Sequence, residues 1–481
     1  IRDVLGSRGL GDVYKRQYQT RRGDIKRVNG KGESMTFETK GKENNGATYG
    51  RRSDWQDLYS IAKKYYEALL ADPGNAQFHL TDPRGASDKS GRTFNNPYQY
   101  FFEQMHMDDA IYADESIYEY PMQQGGGNDG RPYSFGRPSS GGSKAAYPCK
   151  SYGQGRINPA YFYGVFDPND MRRDVSITMT GSNGKGVEKL IPFVPNSKAE
   201  GGGLTLNKWD ENRQANPWVA AQRKSGINGP YMRMSEVYLG YAEVCAALGD
   251  VVTGKQYLKT VRERSFPQGL ANTDAFIASF GNDLVRAIIE ERGFEYAGEG
   301  DRRWTLIRSG YLPEDIKRIK DMTKAMMDGL ATKGYYEFEN GNIISAYIWT
   351  KLVDAKTIYG HRLTAQCPTD KVNDPVLYPG WRGQKDNWEE MGLNYGSSTP
   401  ATNLAIKGLF EIVSEEEAAS LESQGYAKVN WGIDLVDYRD EYDKYLFWDY
   451  DYVSAPIYLW PFTPNVMAAG GFTNGYGFKQ E

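Results

Sequence analysis

The chain has 481 residues, of which 39% are hydrophobic and 25% charged, and its formal net charge is -4 at pH 7. This composition excludes a wholly disordered protein, and the charge gives no general electrostatic attraction for nucleic acid. No stretch approaches the roughly 18 consecutive apolar residues of a membrane-spanning helix.

The first 17 residues, IRDVLGSRGLGDVYKRQ, lack the apolar segment of a secretory signal peptide. Their last six residues, DVYKRQ, resemble the reading-frame translation of a sequencing-library adapter. We therefore expect residues 1–17 not to be native. Residues 18–481 are expected to form a single domain whose N-terminal part is missing.

The first predicted helix lies within Ser53–Leu80. Ser53 or Asp54 can cap its N-terminus, and Pro73 and Gly74 end it. Its apolar residues recur at helical spacing: Leu58, Ile61, Ala62, Tyr65, Leu69 and Leu70. The region that follows, 81–228, is rich in Gly, Pro, Asn and Ser, which predicts long loops with short strands and no regular helices.

Helical periodicity returns in GPYMRMSEVYLGYAEVCAALGD, where Gly249 is placed to end the helix. A second helix, at about Thr253–Arg264, follows after a short connection, so the two should form an antiparallel pair. A third is predicted at about Asn282–Ala297, and a brief fourth at Arg302–Ser309, with Asp301 as its N-terminal cap.

The stretch Ile288–Gly310, IIEERGFEYAGEGDRRWTLIRSG, concentrates carboxylates and arginines. Paired carboxylates beside arginines suit acid/base catalysis, because neighbouring charges separate otherwise similar pKa values. They also suit a polar junction between helices. Arg292 and Glu295 are i,i+3 partners, and the neighbouring carboxylates are placed to form solvated ion pairs. With Asp301 assigned to a cap, this arrangement favours structure over catalysis.

The histidines and cysteines predict no metal centre, disulfide framework or Ser/His/Asp triad. The three histidines share no motif, and the three cysteines lie far apart with no CxxC pair: His79, His106, His361, Cys149, Cys245 and Cys367. We therefore predict no metal and no cofactor.

Four segments, taken in order, resemble the SusD/RagB family of surface glycan-binding lipoproteins. They are PYMRMSEVYLGYAEVCAALGD, VRERSF, IIEERGFEYAGEGDRRWTLIRSG and the C-terminal YLWPFTPN…GGFTNGYGF. The corresponding family motifs are YxRLAEVYLxYAE, VRxRA, ERxxELxxEGxRxxDLxRxG and PIPxxExxxNP…NxGY. Glu115–Pro121, ESIYEYP, resembles the family's E-x-I-F-E segment. The chain departs at Thr305, where aspartate is usual, and at Phe462, where isoleucine is usual.

The resemblance implies a mainly α fold, in which tetratricopeptide-like helix pairs form a curved scaffold with a few short strands. Long loop-rich insertions are expected at 81–228 and 311–440. It also implies a non-catalytic protein of the cell outer membrane, exposed at the surface, that binds oligo- or polysaccharide. The partner would be a SusC-like TonB-dependent transporter, with no nucleic acid. Attachment to the membrane would depend on a lipid anchor that lies outside this sequence.

The chain contains 36 Tyr, 19 Phe and 10 Trp, and an aromatic ring can cover the apolar C–H face of a sugar. Within the resemblance, aromatic and amide residues on predicted loops are therefore the candidate glycan-binding residues: Trp381, Trp388, Asn394, Tyr395, Trp209 and Trp218. Near the C-terminus, Trp448 and Trp460 are instead predicted to pack inward, and Asp449 and Asp451 to lie on a solvated strand face.

Two other classes of protein remain compatible with the sequence. The first is a glycoside hydrolase that uses Glu/Asp pairs, for which Glu291 or Asp449 would be the residues to replace. The second is a tetratricopeptide-type scaffold that recognises a protein in a helix-lined groove.

Overall fold

The computed structural model describes residues 54–74, 79–80, 97–104, 115–128, 130–142, 144, 149–183, 187–195, 201–211, 218, 220–354, 402–446 and 463–471, and a short ribbon at residues 27–28 and 34–35. Within these residues the chain is mainly helical with short strands, which confirms the predicted fold class. No helix in these ranges is long and apolar enough to span a bilayer.

The helices are α1 (Trp55–Ala71), α2 (Pro97–Gln104), α3 (Gly130–Phe135), α4 (Pro159–Gly164), α5 (Arg172–Ser176), α6 (Met234–Ala247), α7 (Val251–Arg264), α8 (Thr273–Ala278), α9 (Leu284–Glu295), α10 (Arg302–Ser309), α11 (Leu312–Lys333), α12 (Glu415–Ser423), α13 (Gly432–Asp437), α14 (Arg439–Leu446) and α15 (Pro464–Gly470).

The strands are β1 (Arg27–Val28), β2 (Ser34–Met35), β3 (Ser116–Tyr120), β4 (Ser139–Ser140), β5 (Lys150–Ser151), β6 (Ile177–Thr178), β7 (Thr180–Ser182), β8 (Glu188–Leu190), β9 (Thr205–Leu206), β10 (Gly229–Arg233), β11 (Tyr335–Glu337), β12 (Ile343–Ser345), β13 (Tyr347–Asp354), β14 (Thr402–Lys407) and β15 (Ala427–Asn430). They form small sheets of two to four strands in the orders β1-β2, β10-β3, β11-β12, β14-β13-β15, β5-β4-β7-β8 and β6-β9.

The α6–α7 pair shows how local signals build the scaffold. Gly249 has a φ of 92°, so it makes the left-handed turn that residues with a side chain avoid. Asp250 then caps α7, because its carboxylate accepts a hydrogen bond from the backbone N–H of Thr253 at 3.2 Å. The predicted helices at these positions, with a short connection between them, are confirmed.

The helices pack around two main cores. In the first, α6, α7 and α9 bury apolar side chains against one another, including Leu239, Val261 and Ile288, each 0% exposed. Helix α1 packs on α6, and Lys63 on α1 bonds Asp250 at 3.0 Å. The second core surrounds Trp431, which donates from Nε1 to the Tyr163 hydroxyl at 2.8 Å and packs 4.3 Å from the Phe193 ring.

The expectation of a loop-rich insertion at 311–440 is wrong for α11, which is a 22-residue helix. It begins directly after Gly310, with a proline in its first turn, and buries Met326, Met327 and Leu330 in the second core. Proline is favoured at the start of a helix, where its missing N–H costs nothing. Strands β13, β14 and β15 add an antiparallel sheet to this region.

The described parts of 81–228 contain short elements rather than loops and strands alone. The helices α2 to α5 have five to eight residues each. Asn158 caps α4, because its side-chain oxygen accepts from the N–H of Ala160 at 2.8 Å. Such brief helices fall below the length at which periodicity can be recognised in a sequence.

Candidate functional site

The carboxylates of the charged stretch are buried, so the expected solvated ion pairs are not what the structure contains. Glu290, Glu291 and Glu295 on α9 are 2%, 0% and 0% exposed. Arg292 does not pair with Glu295 as the i,i+3 spacing predicted; it bonds Asp301 instead, at 2.6 Å. Arginines neutralise the buried acids: nearby ones for Glu290, and ones from more distant parts of the chain for Glu291 and Glu295.

Glu295 is the centre of this network. Its carboxylate accepts from Arg172 at 3.1 Å and from Arg264 at 2.8 Å, and it also pairs with Arg233. Burial alone would raise the pKa of the Glu295 carboxyl, but the guanidinium groups of these three arginines hold the pKa well below its ordinary value. A carboxylate held ionised in this way cannot act as a general acid near neutral pH.

The neighbouring carboxylates are engaged in the same manner. Glu291 forms an ion pair with Arg172 at 2.7 Å and accepts a hydrogen bond from Arg262 at 2.9 Å. Glu299 accepts from Lys208 at 2.6 Å and from Arg233 at 2.9 Å. A buried acid surrounded by fixed cations has neither a mobile proton nor room for a substrate. The network therefore holds helices, loops and strands together.

The ion network also includes the residue before strand β3 and a residue of strand β10. Glu115, directly before β3, accepts from Arg233 Nη1 at 2.9 Å and also pairs with Arg264. Arg233 is the last residue of β10, the partner strand of β3. The described residues contain no group of three or more His, Cys, Asp or Glu side chains that could hold a metal ion.

Lys208 gives the network a pH dependence. Burial lowers the pKa of its ammonium group from 10.5 to about 8, although Glu299 acts in the opposite direction. Since the folded state binds this proton less tightly than the unfolded state, the contribution of Lys208 to stability should increase as pH rises from about 8 towards 10.5.

We predict that the free energy of unfolding of the parent protein, relative to Lys208→Met, increases by about 2 kcal/mol between about pH 7.5 and 9.5. Urea unfolding of both proteins across this range would measure the difference. Lys317→Met, which removes an exposed lysine from α11, should show no such trend relative to the parent. A difference that is flat or falls with pH would contradict the shifted pKa of Lys208.

Asp301 occupies the position before α10 but does not cap it, so the predicted cap is wrong. Its side chain makes no capping hydrogen bond. Instead the carboxylate accepts from Arg292 at 2.6 Å and from the Thr305 hydroxyl at 2.8 Å. The nearby buried guanidinium of Arg292 competes for the carboxylate, and a charge-assisted bond is stronger than a cap.

Asp301→Asn separates these two roles, because asparagine is as good an N-cap as aspartate. We predict a loss of about 2 kcal/mol in the free energy of unfolding, since Arg292 loses its charged partner. Denaturant titration would measure it. Ser414, which does cap α12 by accepting from Glu417 N–H, provides the control: Ser414→Asn should leave stability within about 0.5 kcal/mol of the parent. An equally small effect for Asp301→Asn would restore the capping role.

The predicted sugar-contacting residues differ in where they lie and in how exposed they are. Trp209 is 2% exposed and packs with Leu206 and Ile227, so its ring belongs to the core and does not fit the predicted contact with sugar. Trp218 is half-buried, and its ring lies against Gly125 in the loop after β3. The other four lie outside the described residues: Trp381, Trp388, Asn394 and Tyr395. Trp448, Asp449, Asp451 and Trp460 also lie outside them.

An exposed aromatic pair on β3 was not among the predicted site residues. Tyr118 and Tyr120 are 52% and 56% exposed. They share one face of the strand, and Tyr231 on β10 packs edge-on against Tyr118 with ring centroids 5.3 Å apart. The alternation in SIYEY was a usable signal, because a tyrosine at every second position places the rings on the same side of a strand.

Taken together, the helix pairs, the buried ion network and the short strands define a mainly α-helical scaffold protein with aromatic residues on its surface. The chain belongs to the SusD family, whose family model matches residues 76–461. This match includes the charged stretch and the β3–β10 ribbon.

Individual relatives are more distant. The SusD-like protein P25 of Formosa agariphila is 28% identical over 160 residues, which are 33% of this chain and 26% of that protein. A SusD homolog from Bacteroides thetaiotaomicron is 16% identical, with a TM-score of 0.39 over 55% of this chain and 51% of its own. Surface glycan-binding protein A of the same species, in complex with laminarihexaose, is 19% identical, with a TM-score of 0.35 over 54% and 52%. The chain therefore spans at most about half of each of these proteins.

Proposed function

We propose that the protein binds oligo- or polysaccharide at the cell surface without cleaving it. The observation that carries the proposal is the SusD family match over residues 76–461. The buried ion network supports it, because the Glu295 carboxylate is held ionised by three arginines and has no role left in acid/base chemistry. Binding of a sugar requires neither a general acid nor an activated water.

The proposed contacts are aromatic rings for the sugar C–H faces and amides for the hydroxyls. Trp381, Trp388, Asn394 and Tyr395 remain the candidates from the predicted loop. Trp218 remains a candidate because the residue is only half-buried, whereas Trp209 is no longer one because it is buried.

Calorimetry with a panel of oligo- and polysaccharides tests the proposal. We expect at least one glycan to bind, and Trp388→Ala to weaken that binding by about tenfold as one aromatic contact is lost. Trp55→Ala, on α1, is a control outside the proposed loop. Failure of the parent protein to bind any glycan would contradict the proposal.

Two other outcomes would assign the protein to a different class. Release of reducing ends that stops in a folded Glu291→Gln variant would identify a glycoside hydrolase. Capture of a soluble peptide partner, without glycan and without transporter, would identify a protein-recognition scaffold.

We further propose that the protein works at the outer membrane beside a SusC-like TonB-dependent transporter, to which it delivers the glycan. The family relationship supports this proposal. Co-purification from membranes tests it: the transporter should be recovered with the tagged protein in its native host, and recovery without any transporter would contradict the partnership.

A further inference from the structure

The strand β3 presents two tyrosine rings side by side. Tyr118 and Tyr120 are separated by one residue, so their attachment points lie roughly 7 Å apart along the strand. Each is more than half exposed. Glu119, between them, points to the opposite face and is 5% exposed. The two rings thus form a short aromatic platform, which we call the tyrosine platform.

The platform is held rigidly at both ends. At one end Glu115 is fixed by Arg233 and Arg264 of the buried ion network. At the other end Asn228 donates to Glu119 at 2.9 Å and accepts from the backbone N–H of Met122 at 2.8 Å. Because the strand is already ordered, binding of a ligand does not reduce its conformational entropy, and less affinity is lost.

The exposed side chains of the platform segment are uncharged, whereas the exposed guanidinium of Arg131 lies over Gly229, the residue of β10 paired with Tyr120. Among residues 116–128, the exposed residues are tyrosine, proline, glycine and amides: Tyr118, Tyr120, Pro121, Gln123, Gln124, Gly127 and Asn128. The single carboxylate of this segment, that of Glu119, is turned inward. Flat rings beside hydrogen-bonding side chains match a ligand that combines apolar C–H faces with hydroxyl groups.

We propose that Tyr118 and Tyr120 stack on two successive sugar units of an oligosaccharide, while the amides of the following loop bond sugar hydroxyls. This inference rests on the proposed function, since it assigns part of the glycan-binding surface. It adds a contact surface outside the predicted loop of Trp381 and Trp388.

Calorimetry of the full chain with uncharged and acidic oligosaccharides tests the platform through Tyr118→Ala and Tyr120→Ala. Each substitution should weaken binding of the oligosaccharide that the parent protein binds by about tenfold. Tyr118→Phe and Tyr120→Phe should stay within about twofold of the parent, because the stacking ring is kept. Tyr65→Ala removes a tyrosine of α1 that is 39% exposed and should bind like the parent.

The outcomes separate the platform from the proposed function. If no oligosaccharide binds the parent protein, the proposed function fails and the platform with it. If the parent binds but both alanine variants match it, only the platform is wrong. A dimer of the parent, seen by sedimentation and lost in Tyr118→Ala, would instead make this face an interface between copies.

Discussion

Replacing Glu295 with alanine should lower the free energy of unfolding by about 3–5 kcal/mol. The substitution leaves Arg172, Arg233 and Arg264 without their shared carboxylate. Each of these guanidinium groups is at most 3% exposed, so water cannot replace the lost partner. Removal of one member of a buried ion pair costs far more than the pair contributes, because an uncompensated charge stays in the interior.

Urea unfolding followed by circular dichroism would measure this loss. Asp321→Ala is the matched control, because it removes a carboxylate from an ion pair with Lys317 whose side chains are 63% and 62% exposed. Its effect should be under about 0.5 kcal/mol. A loss of similar size in both variants would contradict the prediction that Glu295 stabilises the three buried arginines. Loss of glycan binding in a fully folded Glu295→Gln variant would return the charged stretch to the candidate binding residues.

Trp431→Ala should have an effect of similar size, about 3–5 kcal/mol, because it opens a cavity in the second core. The indole is 0% exposed and contacts the Phe193 ring. Its Nε1 also donates to the Tyr163 hydroxyl at 2.8 Å. Alanine removes both the packing and the donor.

Trp431→Phe separates the two contributions, since it keeps an aromatic ring against Phe193 and removes only the donor and part of the volume. Its loss should be about 1–2 kcal/mol, to be measured by the same denaturant titration. Equal losses in the two variants would show that the hydrogen bond to Tyr163, and not the packing, dominates at this site.

The helices of the scaffold could be predicted because their signals are local. The apolar period, the aspartates before α7 and α9 and the glycines after α6 and α10 all lie within a few residues of the helix ends. Predicted and observed ends differ by at most two residues for α7 and α9 and coincide for α10. For α6 the sequence does not reveal that Gly229–Arg233 is a strand, because that strand is defined by its partner β3.

The burial of the charges could not be predicted, because the partners are remote in sequence. Arg172 precedes Glu295 by 123 residues, and Arg264 follows Glu115 by 149. Spacing within a helix suggested Arg292 as the partner of Glu295, whereas tertiary structure brings three other arginines to it. The same limit applies to Asp301. Its position before a helix predicted a cap, whereas in the structure its carboxylate accepts a hydrogen bond from Arg292.

The candidate site was the least predictable part of the molecule. Sequence alone could not distinguish Trp209 from Trp218, because both lie in the same polar segment, yet one packs in a core and the other remains partly exposed. The loop-like composition of residues 81–228 also gave no indication that β3 carries exposed tyrosines. Tyr118 and Tyr120 become candidates only once their exposure on a strand is known.

The contacts of Glu115 join residues that are far apart in the sequence, which affects how the molecule folds. Glu115 pairs with Arg233 and Arg264, and Arg233 pairs with Glu295, so the ion network cannot close until residues 115–295 have all been brought together. Closing such long loops reduces the entropy of the chain before stabilising contacts can form, and this slows folding. We therefore expect that no fragment shorter than residues 115–295 can complete this network, and that an excised α6–α7 pair remains unfolded in solution.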